Sequence, residues 1–294
     1  MRYMPFNISV RRILACAILT VAANSASAAN CTTFASSLVF GNYVASSAVN
    51  VTGSITVTCP NGRAYNVALN AGLSSGATIT TRAMSGSGTN KLGYALYSDA
   101  ARTINWGNTS GTNWVTGTGT GSAQTITIYG RVPANEFVGL GSYTDTITGS
   151  VSGTGIKTVT AQFSVTATEQ PSCTLSASNL TFGTYSGVLV TSTSSITVQC
   201  TNSTTYNIGL NAGTATGATV TTRNMTGPSA SHLQYGLYRN SAHTTNWGNT
   251  VGTDTQSGSG SGTVQTLTVY GQLPAGQSTH TGTYSDTITA TLTY

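Results

Sequence analysis

The chain has 294 residues, of which 6% are charged and 38% apolar, and a formal net charge of +5. So little charge over a moderate apolar content excludes the disorder that follows from high net charge on a weakly hydrophobic chain. Discounting residues 1–28 removes Arg2, Arg11 and Arg12 and leaves eight Lys+Arg against six Asp+Glu, which removes the electrostatic argument for a nucleic-acid partner.

Those first residues predict a secretory signal. Three arginines precede an apolar run over 13–23, and Ala26-Ser27-Ala28 supplies a small-x-small cleavage site. Cys16 as a lipid anchor is disfavoured, because it follows Arg12 by four residues with no apolar core before it. Cleavage after Ala28 leaves Cys31, Cys59, Cys173 and Cys200, an even count that in an exported chain argues for disulfides. Their matched positions in two repeats predict the pairs Cys31–Cys59 and Cys173–Cys200, each worth about 3 kcal/mol by loop-closure entropy. Zinc is the alternative, disfavoured because no CxxC or histidine cluster is present, and no cofactor is expected. Beyond the signal no apolar stretch approaches the ~20 residues that cross a bilayer, so the expected mature product is exported.

From Cys59 to Ile147 the chain matches Cys200 to Ile288 at a constant offset of 141, with 44 of 89 positions identical, and LVFGNY (38–43) matches LTFGTY (180–185) at 142. Within each copy apolar residues alternate. In the first copy Ile55, Val57 and Cys59 share a face, as do Tyr65, Val67, Leu69 and Ala71, then Leu92, Tyr94 and Leu96, then Ile126, Ile128, Gly130 and Val132, then Tyr143, Ile147 and Val151. Short alternating strands separated by Gly, Asn and Pro turns predict an all-β chain of two tandem immunoglobulin-like β-sandwiches, with a barrel as the alternative. The expected domains are 29–168 and 169–294, with Glu169-Gln170-Pro171-Ser172 as the boundary.

The copies differ at their ends. The first continues into 157–168, KTVTAQFSVTAT, where Val159, Ala161, Phe163 and Val165 alternate with polar residues and predict an intramolecular completing strand. The second stops at Tyr294 without a counterpart. It is expected to lack its last strand and to expose an unpaired edge that another strand must fill.

The cysteine pairs, YNVALNAG (65–72), TTRAMSG (80–86), KLGYALYSD (91–99), NWGNTSGT (105–112), QTITIYGRVPA (124–134) and GSYTDTITGSV (141–151), with their second-copy counterparts, resemble the spore coat protein U domain family over nearly the whole expected mature chain. Many members of that family resemble subunits of archaic, Csu-type chaperone/usher pili. The resemblance implies donor-strand complementation, in which a neighbouring subunit's N-terminal strand completes the fold. It implies a periplasmic chaperone, an outer-membrane usher and a next pilin subunit as partners. Because the expected mature chain starts at Ala29-Asn30-Cys31 with nothing to donate, it is expected at the pilus tip on the cell surface. The implied function is attachment to an abiotic or host surface and biofilm formation, without enzymatic activity. A secreted coat protein without receptor binding and a carbohydrate-binding lectin are the alternatives.

Residues apolar in one copy and polar in the other are candidate contacts. Trp114 and Val115 match Thr255 and Gln256; Phe137, Val138 and Leu140 match Ser278, Thr279 and Thr281; Leu73 and Ile104 match Thr214 and Thr245. Strand parity predicts the loop 107–123 at the distal pole, beside the Pro60–Arg63 turn and the turn near 152–156, and Phe137, Val138 and Leu140 toward the second domain. Trp106/Trp247 and Tyr129/Tyr270 recur and are expected to serve the fold, as are Arg82/Arg223 and Asp145/Asp286. His232, His243 and His280 form no ligand or base constellation, and GTGTG (117–121) lacks the Lys-Ser/Thr and helix of a phosphate loop.

Overall fold

The computed structural model describes residues 29–294; the predicted signal segment lies outside the described residues. Apart from one 3₁₀ turn at Pro228–Ala230, the regular elements among the described residues are all strands. The first half comprises β1 (Ala29–Asn30), β2 (Thr32–Ala35), β3 (Leu38–Tyr43), β4 (Val49–Thr58), β5 (Ala64–Leu69), β6 (Arg82–Ser85), β7 (Lys91–Tyr97), β8 (Val115–Thr118), β9 (Ala123–Val132), β10 (Gly141–Gly153) and β11 (Ile156–Glu169). The second comprises β12 (Cys173–Ala177), β13 (Val190–Cys200), β14 (Thr205–Leu210), β15 (Arg223–Thr226), β16 (His232–Tyr238), β17 (Gln256–Ser259), β18 (Gln265–Leu273) and β19 (Ala290–Thr293).

Period-two sequence becomes a sandwich because one face of each strand must leave water. In the first half β2-β4-β9-β7 forms one layer and β11-β10-β5-β8 the other, with β6 bridging β7 and β10. Ile55, Val57, Leu69, Leu92, Leu96, Ile128, Ile147 and Val151 meet between the layers in one core. The second half repeats this plan with β12-β13-β18-β16-β15 opposite β17-β14-β19. Each half carries a disulfide, Cys31–Cys59 and Cys173–Cys200.

The repeated polar residues tie the same corner in both halves. The Arg82 guanidinium, fully enclosed, donates to the carbonyls of Asn70, Ile79 and Trp106, and Arg223 does the same for Asn211, Val220 and Trp247. Tyr94 donates to Asp145 at 2.6 Å and Tyr235 to Asp286 at 2.7 Å. The indoles of Trp106 and Trp247 donate to Val67 and Ile208 carbonyls. Buried charge is tolerated here because every partner is a fixed backbone or side-chain group.

Candidate functional site

The halves differ in one slot. In the first, β11 runs antiparallel to β10 along its whole length and parallel to β1 and β3 on its other side. Its alternation turns Phe163, Val165 and Ala167 into the core, with Val159 and Ala161 partly covered against it. They close over Leu38, Phe40 and Tyr43 from β3 and over Tyr143, Ile147 and Val151 from β10, all of which are buried.

In the second half the described chain places no strand in that slot, and the walls respond as hydrogen bonding requires. The counterpart of β3, residues 180–185, pairs with nothing and is not a strand. The counterpart of β10 is a strand only at β19, four residues against thirteen, apart from one bridge between Thr226 and Ser285. Leu180, Phe182, Tyr185, Tyr284, Ile288 and Leu292 remain only partly buried on the core edge, where their first-half equivalents are enclosed. The frame is nonetheless set. Tyr185 donates to the Pro274 carbonyl as Tyr43 does to Pro133, and Phe182 keeps an edge-on contact with Tyr235 (5.9 Å) matching Phe40 with Tyr94 (6.3 Å). The result is a preformed apolar groove flanked by backbone lacking ladder partners, the arrangement that accepts an added strand.

The predicted contact residues do not gather in one place. The turns 60–63, 119–122 and 153–156 lie together at one pole of the first sandwich: Gly62 donates to the Gly119 carbonyl, Gly119 to that of Arg63, and a Cβ on Gly153 would lie 2.5 Å from the Ala64 carbonyl oxygen. Only the end of the expected 107–123 loop reaches it. Residues 115–118 form β8, which pairs with β5 (Val67 opposite Val115, Ala64 opposite Thr118) because Gly117 leaves room for the Tyr65 ring. Trp114 and Val115 therefore lie at the foot of that strand, roughly 13 Å below the pole at the usual rise per residue. Both are half-buried, Val115 against the core. Phe137 is 7% exposed and belongs to the core, so it leaves the set of contact residues; Val138 packs beside it and its carbonyl accepts from Asn202 of the second half at 3.1 Å. Leu140 remains exposed. Leu73 and Ile104, at 71% and 53% exposure, are the most open of these candidates.

Sequence reasoning missed Glu169. Placed at the head of the linker by its neighbours Gln170 and Pro171, it is instead the last residue of β11, 2% exposed, with neither carboxylate oxygen hydrogen-bonded. Burial, then the charge of Glu136, pushes its carboxyl up to about 8. The signal available was the parity that puts residue 169 on the face of Val165 and Ala167. Among the described residues no group of three or more His, Cys, Asp or Glu could hold a metal ion, and no helix is long and apolar enough to cross a membrane.

The sequence model of the Spore Coat Protein U domain matches residues 17–150 and again 159–291. The chain belongs to that family. Protein U of Myxococcus xanthus is 36% identical over 154 residues, covering 47% of this chain and 86% of that protein. In three dimensions the chain is similar to one in the crystal structure of the CsuC-CsuE chaperone–tip adhesion subunit pre-assembly complex from archaic chaperone-usher Csu pili of Acinetobacter baumannii. That match has a TM-score of 0.52 at 16% identity and covers 90% of this chain and all of that one, which establishes a shared two-domain β fold.

Proposed function

We propose that this family member is a non-enzymatic tip subunit of a chaperone–usher pilus. Its second half takes a strand from the next pilin, after a periplasmic chaperone has held the groove and an outer-membrane usher has exchanged it. Its first half faces an abiotic or host surface, with attachment and biofilm formation as the outcome. One observation carries the reading: the same frame of aromatic and aliphatic residues is closed by β11 in one half and open in the other. The family match adds support. It begins fourteen residues before the first cysteine in each copy, at 17 for Cys31 and at 159 for Cys173. In the second copy the first eleven of those residues, 159–169, belong to β11, which lies in the slot of the first half. The second unit thus completes the unit before it, and the next subunit repeats the operation on the second groove. β1 supports the tip position, because Ala29 and Asn30 pair with Ile156 and Lys157 of their own half, so a chain beginning there keeps its first residues in its own sheet. It depends on cleavage after Ala28, which N-terminal sequencing of the secreted protein checks.

The groove is tested by supplying the strand. Leu292 occupies the position of Val151, and Tyr294 that of Gly153. Appending residues 154–169 after Tyr294, with Tyr294→Gly for the turn, should therefore lay a copy of β11 into the groove. The expected result is a monomer whose second half melts at higher temperature and which no longer captures a periplasmic chaperone. Unchanged melting and undiminished chaperone capture would overturn the reading. A coat protein, the role named by the family, would assemble without chaperone or usher.

A further inference from the structure

The outer face of β6, β7 and β9 in the first half carries a cleft of about 490 Å³. Ala83 and Gly93, directly opposed across β6 and β7, floor it together with Ala95. Lys91, Arg131 and Glu136 border it, Lys91 and Arg131 both exposed. The trough exists because the outward positions Ala83, Gly93 and Ala95 of β6 and β7 hold almost no side chain, while Lys91, Tyr97 and Arg131 rise beside them.

The second half shows what that surface looks like without the cleft's chemistry. The Ala83–Gly93 pair becomes the directly opposed pair Asn224–Gln234, two long polar side chains on the floor. Lys91 becomes His232, Arg131 becomes Gln272, and Glu136 becomes Gln277, which bonds to the Gln234 backbone through both its amide atoms. Positive charge is divided the same way. Residues 29–168 hold six of the eight Lys and Arg after position 28, of which only Arg82 is buried; the second half holds Arg223, buried, and Arg239.

We infer that this cleft is a binding site for a carboxylate-bearing polysaccharide. Its volume lies within the range of small-molecule binding sites. Lys91 and Arg131 supply charge-assisted bonds to acid groups along the chain, and the rim residues Thr80, Thr81 and Glu136 offer hydroxyl and acceptor groups for sugar hydroxyls. Ala83 and Ala95 let a flat ring lie on the sheet beside the Glu136 carboxylate, which lies over Gly93 and accepts from its N–H at 3.4 Å. The site stands on the first half alone, so it survives if the tip assignment fails, and its failure leaves the groove reading untouched.

The test is binding of the full-length secreted chain to immobilised polygalacturonate, with neutral dextran as control. Wild type should bind polygalacturonate and not dextran, more weakly as salt rises. Lys91→Gln and Arg131→Gln should each weaken binding about tenfold, the cost of one lost charge-assisted contact. Ala83→Asn with Gly93→Gln keeps every charge and fills the floor, so it should abolish binding. A Cβ on residue 93 would lie 3.2 Å from the Glu136 carboxylate, a shift of tenths of an ångström, and the same pair already stands at 224 and 234. The reciprocal second-half variant, Asn224→Ala, Gln234→Gly, His232→Lys and Gln272→Arg, should gain a second site. Undiminished binding by the filled-floor variant would reduce the patch to nonspecific charge and overturn the inference, as would equal binding to dextran or none to polygalacturonate. Equal binding of wild type and filled-floor chains to vesicles of anionic lipid, with polygalacturonate ignored, would overturn it in favour of a membrane partner.

Discussion

Glu169 shows how a single side chain sets the pH response of the closed half. Its backbone is held between Gly141 of β10 and Tyr43 of β3, so the carboxyl cannot swing to water without breaking β11 at its end. Desolvation and the nearby charge of Glu136 favour the protonated form. The folded chain keeps this proton to about pH 8, whereas an unfolded glutamate releases it near its ordinary value of about 4.5. Between those values the folded state binds more protons than the unfolded, so stability falls as pH rises. The contribution is complete below the unfolded value and lost as pH climbs through the folded one. Glu169→Gln should remove that slope, leaving the first half more stable than wild type at pH 9 and little changed at pH 4, as measured by urea denaturation at both. A wild-type pH profile retained by the variant would place the titration elsewhere.

At the level of strands, the two copies form a natural deletion experiment. Phe40 and Phe182 occupy the same position and make the same edge-on contact with a tyrosine, but Phe40 is sealed beneath β11 and Phe182 is half in water. Phe40→Ala removes a closed-core ring and should cost roughly 3–5 kcal/mol in the first half. Phe182→Ala should cost the second half less than half of that, until a strand is added, when the two costs should converge; denaturant titration with and without the appended strand measures both. The closing strand of the first half was legible because period two is a local signal: Val159, Ala161, Phe163 and Val165 alternate with polar residues and announce a buried face. The height of Trp114 was not, because residues 115–118 become a strand only through register with β5, which lies some fifty residues earlier. The same holds for the cleft. Ala83 and Gly93 are unremarkable in sequence and acquire meaning only when the ladder sets them face to face. Phe137 misled for a related reason: an apolar residue in a loop reads as a contact until the fold turns it into the core.

On the scale of the whole molecule, one half has its slot filled by β11 and the described second half has no strand in the matching groove, so cooperativity should divide between them. Closure of the first slot carries no association cost, since β11 follows β10 through the tight Gly153–Gly155 turn. The second half leaves its groove-lining side chains partly in water and its edge backbone unpaired, and lacks the burial that each enclosed side chain contributes, about 1.5–3 kcal/mol. The halves touch through narrow contacts, chiefly Asn202 donating to Val138, which are too few to make one unit of two sandwiches. Heating the intact chain should therefore produce two transitions, the lower belonging to residues of the second half. Adding a free peptide of residues 156–169 should raise that transition in proportion to the logarithm of peptide concentration while leaving the upper one in place. Val165→Asp, which puts a charge into the closed slot, should lower the upper transition alone. Calorimetry of the three samples decides the matter: a single transition unmoved by peptide would mean that the second half is already complete, and the groove would lose its role as an acceptor.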